Sequence, residues 1–173
     1  MAATAQLAED GETMTLEHPK AGQITLRPDA EADWPVFADW LARLWPGDLP
    51  APTGIYRGDN AHLTDVEGAW ISLHTLASHH AVETALGRDL SIHRWRGNLW
   101  LDSAEPWAEK GWAGQHLKNG GATLHVKVEI TRRKATMANP ETGVRDAATL
   151  GALPAFGHQA FGVQAEVVER GPS

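Results

Sequence analysis

The stretch TLHVKVEI, residues 123–130, decides the fold class. Apolar residues occupy every second position from Leu124 to Ile130, and this period of two predicts a strand with one buried and one solvated face. The strand runs directly into TRRKATMANPETG, residues 131–143, where three consecutive cations precede a turn signature. Loops that follow strand ends often carry ligand groups, so the cations mark a candidate site.

The rest of the chain reads as short strands between Gly and Pro turns, with a few helices. Further strands are predicted at 23–26, 70–73, 98–102 and 162–169. In DWPVFADWLARLW an apolar stripe at spacings of three and four predicts a helix over 34–45. A second helix is predicted at 75–86 and a third, short one within 145–153. These elements predict a mainly β fold, a small and mostly antiparallel barrel, closed or nearly closed, with two to three short helices.

The 173 residues match the size of one domain with its own core. Residues 1–15 are small, polar and acidic, and predict a flexible N-terminal tail. Residues 16–173 are then expected to form a single domain. Within it, residues 46–60 are rich in Gly and Pro and predict an irregular connection.

Composition excludes several classes of function. A formal net charge of −7 argues against nucleic-acid binding, which needs a broad basic face. No apolar run is long enough for a membrane span, and the N-terminus lacks the features of a secretory signal. The absence of cysteine excludes disulfides, thiolate metal sites and cysteine nucleophiles, and it fits a cytoplasmic protein. The cations nevertheless form local groups, which suits one small anionic ligand.

The first candidate group lies in RWRGNLWLD, residues 94–102. Alternation along a strand would place Arg94, Arg96 and Asn98 on one face. Two guanidiniums beside an amide form a reasonable anion clamp, because each guanidinium offers a planar fork of donors. The alternative is a solvated polar face whose arginines pair with nearby carboxylates.

The second candidate group is the run Arg132, Arg133 and Lys134 at the end of the alternating strand. Three adjacent like charges repel one another unless they are solvated or face an anion, so a plain solvated charge run is the alternative. His158, between two Gly and two Phe, is either a buried histidine with satisfied nitrogens or a site residue. The nine His show no metal-ligand spacing, and we predict no metal site.

Three stretches occur in an order that resembles a known family. They are ISLHTLASHHAVETALGRDLSIHRWRGNLWLDSAEPWAEKGWAG, EITRRKATMANPETGVRD and GHQAFGVQAEVVERG, within about residues 65–170. This order resembles the MOSC domain, the C-terminal domain of molybdenum cofactor sulfurases. The resemblance implies a small β-barrel that handles sulfur and the molybdenum cofactor (molybdopterin). Pyridoxal phosphate binding belongs to a separate desulfurase domain in the full sulfurases, for which this chain has no room.

The resemblance also implies site residues. Arg94, Arg96 and Asn98 match the family's Arg-x-Arg-x-Asn. Arg132, Ala135, Thr136, Asn139, Pro140, Thr142 and Gly143 match the loop that carries the family cysteine. Arg133 stands in place of that cysteine, and a guanidinium can neither form a persulfide nor offer a lone pair to a metal. The family's sulfur transfer is therefore excluded, and a cation-lined pocket for a phosphate or another oxyanion is what remains.

Three functional hypotheses stay open at this point. The chain is a MOSC-like protein that binds an anionic ligand or cofactor without sulfur chemistry. Alternatively, it is a molybdenum cofactor-dependent enzyme whose catalysis has moved to other residues, such as His158, or to a partner's thiol. The third hypothesis is a structural remnant that docks a partner protein through the Trp-rich helix at 34–45.

Overall fold

The computed structural model describes residues 3–56, 68–102 and 105–170. Residues 57–60 of the predicted irregular connection lie outside these ranges. The chain divides into two compact units, one formed by 1–61 with 141–143 and the other by 62–140 with 144–173. This division differs from the single domain expected over residues 16–173.

The smaller unit contains a three-stranded antiparallel sheet in the order β1-β2-β3. Its strands are β1 (Thr4–Leu7), β2 (Met14–His18) and β3 (Gly22–Leu26). The first strand falls within the segment expected to be a flexible tail. The side chain of Asp10 closes the turn between β1 and β2, because it accepts hydrogen bonds from the backbone of Glu12 and Thr13 and from the Thr13 hydroxyl. The Thr13 hydroxyl and these amides lower the pKa of Asp10 to about 2.

Helix α1 (Trp34–Ala42) packs its aromatic stripe on the small sheet. Trp40 is 6% exposed, and its indole N–H donates to the Gly22 carbonyl at 2.8 Å. Asp39 and Arg43 are exposed, as the stripe predicts. The helix ends three residues earlier than expected, where the Leu44 amide donates to the carbonyl of Leu41, three residues back, in a 3-10 turn.

The larger unit contains a five-stranded sheet in the order β5-β4-β8-β7-β6. Its strands are β4 (Ile71–Thr75), β5 (Leu99–Leu101), β6 (His116–Asn119), β7 (Ala122–Thr131) and β8 (Ala160–Glu169). All neighbours pair antiparallel except β4 and β5. The mainly β, mostly antiparallel prediction is confirmed. The closed barrel is wrong, because within the described part of the chain β5 and β6 remain edge strands of an open sheet.

Two helices belong to this unit, α2 (Leu76–Leu86) and α3 (Thr149–Ala152). The prediction for α2 is confirmed within one residue, with Thr75 as the N-terminal cap and Gly87 in the left-handed conformation at the C-terminal end. The sheet and α2 enclose a core in which the rings of Trp95 and Phe161 stack with centroids 3.8 Å apart. Trp95 is fully buried, and it anchors the loop that follows α2.

The alternating strand keeps its predicted pattern over only half its length. Leu124 and Val126 are buried, whereas Val128 is 48% exposed. The β7–β8 pairing shifts register between Val126 and Val128 and again between Glu129 and Thr131. A bulge inserts an extra residue and changes which side chains face the core. The second half of β7 therefore presents polar residues where the sequence pattern predicted an apolar face.

Candidate anion-binding site

A cavity of about 730 Å³ in the larger unit brings most of the predicted site residues together. Its lining comes from β4, β7 and β8 and from two 3-10 helical turns, Ile92–Trp95 and Lys134–Met137. Six of the predicted residues line it: Arg94, Arg96, Asn98, Arg132, Arg133 and Thr136. Groups that lie far apart in sequence thus converge on one concave surface.

Arg94 anchors the first of these turns. Its side chain is 3% exposed, with one Nη donating to the Met137 carbonyl at 3.0 Å and the other to Asp146 Oδ1 at 2.5 Å. Hydrogen bonds from Asn139 and from Arg94 lower the pKa of Asp146. The prediction that Arg94 and Arg96 lie on one face of a strand is wrong, because this segment forms a 3-10 turn and β5 begins only at Leu99. Arg94 holds the two turns together.

The Arg132 guanidinium likewise donates hydrogen bonds to groups within the protein. Its Nε donates to the Phe161 carbonyl at 2.8 Å and one Nη to the Trp95 carbonyl at 2.9 Å. Burial and the neighbouring charge of Arg96 lower the pKa of Arg132 to about 10. Its second Nη lies 3.3 Å from Nε2 of His74, a fully buried ring. Arg132 therefore fixes the end of β7 to the loop that carries Arg94 and Arg96.

Arg96 and Arg133 are the two cavity arginines that remain available. Both are exposed, and neither guanidinium has an ion-pair or hydrogen-bond partner among residues 3–56, 68–102 and 105–170. Arg96 adopts the left-handed conformation with φ 53°, which a residue with a side chain rarely does. Arg133 has extended backbone and starts the second turn. An anion in the cavity would meet these two guanidiniums first.

Asn98 and Thr136 position the cavity wall. Asn98 Oδ1 accepts hydrogen bonds from the backbone amide and the hydroxyl of Ser72, both at 2.9 Å, which fastens the loop to β4. Thr136 is buried; its hydroxyl donates to the Arg133 carbonyl at 3.1 Å and lies 2.9 Å from the Thr149 hydroxyl. Both residues support the arginines, and their polar atoms are largely used within the protein.

Three predicted site residues do not line the cavity. Lys134 is exposed on the second turn, which favours the alternative of a solvated charge for that residue. The Asn139 side-chain amide donates to Asp146 at 3.1 Å. His158 packs edge-on against Trp107, with centroids 4.6 Å apart, and burial, followed by the charge of Lys110, lowers its pKa. His158 therefore lies outside the site that the arginines form.

The cavity also contains residues that the sequence patterns did not indicate. Glu129 and Gln164 line it, from β7 and β8. Alternation had assigned Glu129 to a solvated face, and the β7–β8 pairing shifts register on both sides of it. His74 lies beneath Arg132, and burial, with the charge of Arg132, lowers its pKa to about 3. No local pattern signals any of the three, since each position depends on long-range pairing.

The electrostatics of the cavity differ from those of the whole chain. Four arginines and one glutamate line it, in a protein with a formal net charge of −7. The charge of Arg94 is balanced by Asp146, whereas Arg96 and Arg133 are unbalanced. A local excess of cations in an acidic protein attracts a small anion more selectively than a polyanion.

Comparison with protein-family models and with curated proteins gives no match for this chain. Within the described ranges, no group of three or more His, Asp or Glu side chains is placed to hold a metal ion. None of the described helices is both long and apolar enough to cross a membrane.

Proposed function

We propose that this protein binds a small phosphate-bearing or oxyanion ligand in the cavity, with Arg96 and Arg133 in contact with the anion. The observation that supports this most directly is the pair of exposed, unpaired guanidiniums on one concave surface. A guanidinium presents parallel N–H donors that match the oxygens of phosphate and related anions. The cavity volume of about 730 Å³ also falls within the usual range for small-molecule sites.

Attraction to an excess of positive charge would give the anion its binding energy. Arg96 lies close enough to Arg132 to lower its pKa, so like charges already oppose each other at this surface. An anion in contact with Arg96 and Arg133 would offset this excess of positive charge. Binding should therefore stabilise the folded protein, and ligands with two or more charged oxygens should do so more than chloride.

A molybdenum cofactor-type ligand is the more specific part of the proposal, and it rests on the MOSC-like order of motifs. Molybdopterin carries a phosphate, the kind of group that guanidiniums bind through paired N–H donors. Arg133 and the absence of cysteine leave no thiolate to ligate the metal, so the chain's own residues would hold the ligand through its phosphate alone. When bound, the cofactor would supply the redox chemistry of its metal.

Thermal unfolding with different anions tests the proposal. Inorganic phosphate or molybdate should raise the melting temperature by several degrees more than chloride at matched ionic strength. Linkage sets the scale, since a ligand at 100 times its Kd adds about 2.7 kcal/mol to the free energy of unfolding. Arg96→Gln combined with Arg133→Gln should abolish the difference. Arg94 and Arg132 are unsuitable targets, because their guanidiniums already donate hydrogen bonds to backbone carbonyls.

Lys134→Gln is the matched control. Lys134 adjoins Arg133 and carries the same charge, but it does not line the cavity. The control protein should respond to phosphate like the parent. Equal shifts from all anions would mean that only general screening acts, and would refute the proposal.

The other hypotheses have less support from the described residues. Docking through the Trp-rich helix would need an exposed stripe, yet Trp40 is buried against the small sheet. Catalysis at His158 would need that ring in the cavity, and it does not line it. Ligand binding without sulfur chemistry is therefore the function that the geometry favours.

A further inference from the structure

Two histidines lie side by side on the hairpin formed by β6 and β7. His116 and His125 are paired directly opposite each other across the two strands. Their rings stack with centroids 4.6 Å apart and an angle of 7° between the ring planes. His116 is exposed and His125 is partly buried, and neither lines the arginine cavity. The proposed function therefore does not use this accessible pair of imidazoles.

The hairpin holds the two histidines in register. A two-residue turn, Gly120 and Gly121, joins β6 to β7, with Gly120 at φ 59°. The Val126 amide donates to the Gln115 carbonyl at 2.9 Å, so a ladder hydrogen bond lies directly beside the histidine pair. The histidines thus occupy a non-hydrogen-bonded position of the ladder, where opposite side chains come closest. Strand pairing, which the spacing of histidines in the sequence does not reveal, brings them together.

The ring nitrogens of the two histidines are available to a ligand. Neither ring makes a hydrogen bond within the part of the chain that the structure describes. Another contacting pair, His79 and His80, differs in this respect. Nε2 of the buried His79 lies 3.1 Å from the Leu90 carbonyl, and its Nδ1 accepts a hydrogen bond from the Trp95 indole. The hairpin pair therefore has lone pairs to offer that His79 does not.

The charged side chains around the hairpin pair balance one another. Glu166 is paired with His125 across β7 and β8, and its carboxylate lies 2.8 Å from Lys127 Nζ. Lys118 and Glu169 belong to the next row of residues across the same three strands. Each lysine thus has a glutamate in its neighbourhood, and no excess of positive charge repels a metal ion.

We infer that His116 and His125 form a binding site for one divalent transition-metal ion of the Zn²⁺ or Cu²⁺ type. Neutral imidazole is a favoured ligand of both ions. Two nitrogens that each lie about 2.0–2.1 Å from a zinc ion are about 3 Å apart. The rings can turn from the stacked arrangement into this geometry, because the outer side-chain torsion of histidine is broad. No group of three His, Asp or Glu side chains is placed to hold a metal in the described ranges, so water would complete the coordination.

Calorimetric titration of the untagged full chain with copper sulfate, zinc chloride and magnesium chloride tests the inference. One Cu²⁺ or Zn²⁺ ion should bind per chain, Cu²⁺ the more tightly, and Mg²⁺ should not bind because it prefers oxygen ligands. His116→Gln and His125→Gln should each weaken Cu²⁺ binding by about tenfold or more, since either change leaves a single imidazole. Unchanged Cu²⁺ affinity in both variants would overturn the inference.

His80→Gln is the matched control, because His80 is also an exposed histidine in contact with a second imidazole. This variant should bind Cu²⁺ like the parent, and an equal loss of affinity in it would contradict a specific site on the hairpin. The double variant Arg96→Gln, Arg133→Gln should also keep the parent's Cu²⁺ affinity, because the hairpin histidines do not line the cavity. Failure of the metal site and failure of the anion site are therefore distinguishable.

Electron paramagnetic resonance gives a readout that needs no variant. The unmodified protein with an equimolar amount of Cu²⁺ should show coupling of the copper to two imidazole nitrogens. Coupling to one nitrogen or to none would overturn the inference, and the stacked rings would then be a packing contact only.

Discussion

Arg96 combines an unfavourable backbone conformation with an unpaired charge. Its φ of 53° lies in the left-handed region, which costs a residue with a side chain about 1–2 kcal/mol. Strain of this kind is often retained where it serves a site. Arg96→Gly should therefore leave the free energy of unfolding within about 1 kcal/mol of the parent, or higher, while it weakens the phosphate-induced rise in melting temperature.

Arg133→Gly gives the matched comparison for Arg96→Gly. Arg133 has an ordinary extended backbone with φ −126°, so glycine relieves nothing there and should lower stability by about 0.5–1 kcal/mol. Both variants should lose phosphate response. Urea unfolding measures the stabilities, and a larger loss for Arg96→Gly than for Arg133→Gly would contradict the role assigned to strain.

Gly162 is required by close packing as well as by its backbone. It has φ 77°, and an added Cβ would overlap the His74 ring and approach the Leu73 carbonyl to 2.7 Å. Gly162→Ala should lower the free energy of unfolding by about 3–5 kcal/mol. Gly157→Ala isolates the backbone cost, because Gly157 has φ 81° with nothing within 4 Å of the added atom, and about 1–2 kcal/mol is expected. Equal losses in a denaturant titration would show that His74 can move aside.

At the scale of elements, α1 depends on the burial of Trp40. Truncation to Ala should lower the free energy of unfolding by about 3–5 kcal/mol, because it removes a buried ring and its bond to the Gly22 carbonyl. Val36→Ala on the same helix should cost under about 0.5 kcal/mol, since Val36 is 57% exposed. Urea unfolding checks both, and a loss below about 1 kcal/mol for Trp40→Ala would place the stripe on the surface.

Elements with complete local signals were predictable from the sequence. Helix α2 has its capping threonine and Gly87, and its prediction is confirmed within one residue. The prediction for the segment that contains Arg94 and Arg96 was wrong. Its polar alternation is typical of a strand, but burial of Trp95 between them and the bond from Arg94 to Asp146 favour a 3-10 turn. Those contacts cross long sequence separations that no local pattern contains.

The candidate site shows the same limit at the scale of the whole chain. The sequence identified which residues are basic, and six of the nine predicted residues line the cavity. It did not show which guanidiniums are free, because that depends on distant partners such as Phe161 for Arg132. Sheet closure was wrong for a related reason, since alternation within a strand does not determine whether the outermost strands pair.

Buried histidines make the stability of the molecule depend on pH. Burial lowers the pKa of His74, His79 and His158, and for His74 the value falls from 6.5 to about 3. Below pH 6.5 these histidines therefore become protonated in the unfolded chain, whereas their buried rings resist protonation in the folded protein. The unfolded state binds more protons in this window, so stability must decrease as the pH falls from 6.5 towards 3.

His74→Gln should reduce this dependence, although its stability at neutral pH also changes. One pKa unit corresponds to about 1.4 kcal/mol, so His74 alone should account for about 2 kcal/mol of the loss between pH 6.5 and pH 5. Urea unfolding at a series of pH values gives that loss for each protein. His80→Gln, an exposed position on α2, should keep the parent's slope. If His74→Gln and the parent lose stability in parallel, then folding does not disfavour the protonation of His74. The ring must in that case accept a proton inside the folded protein.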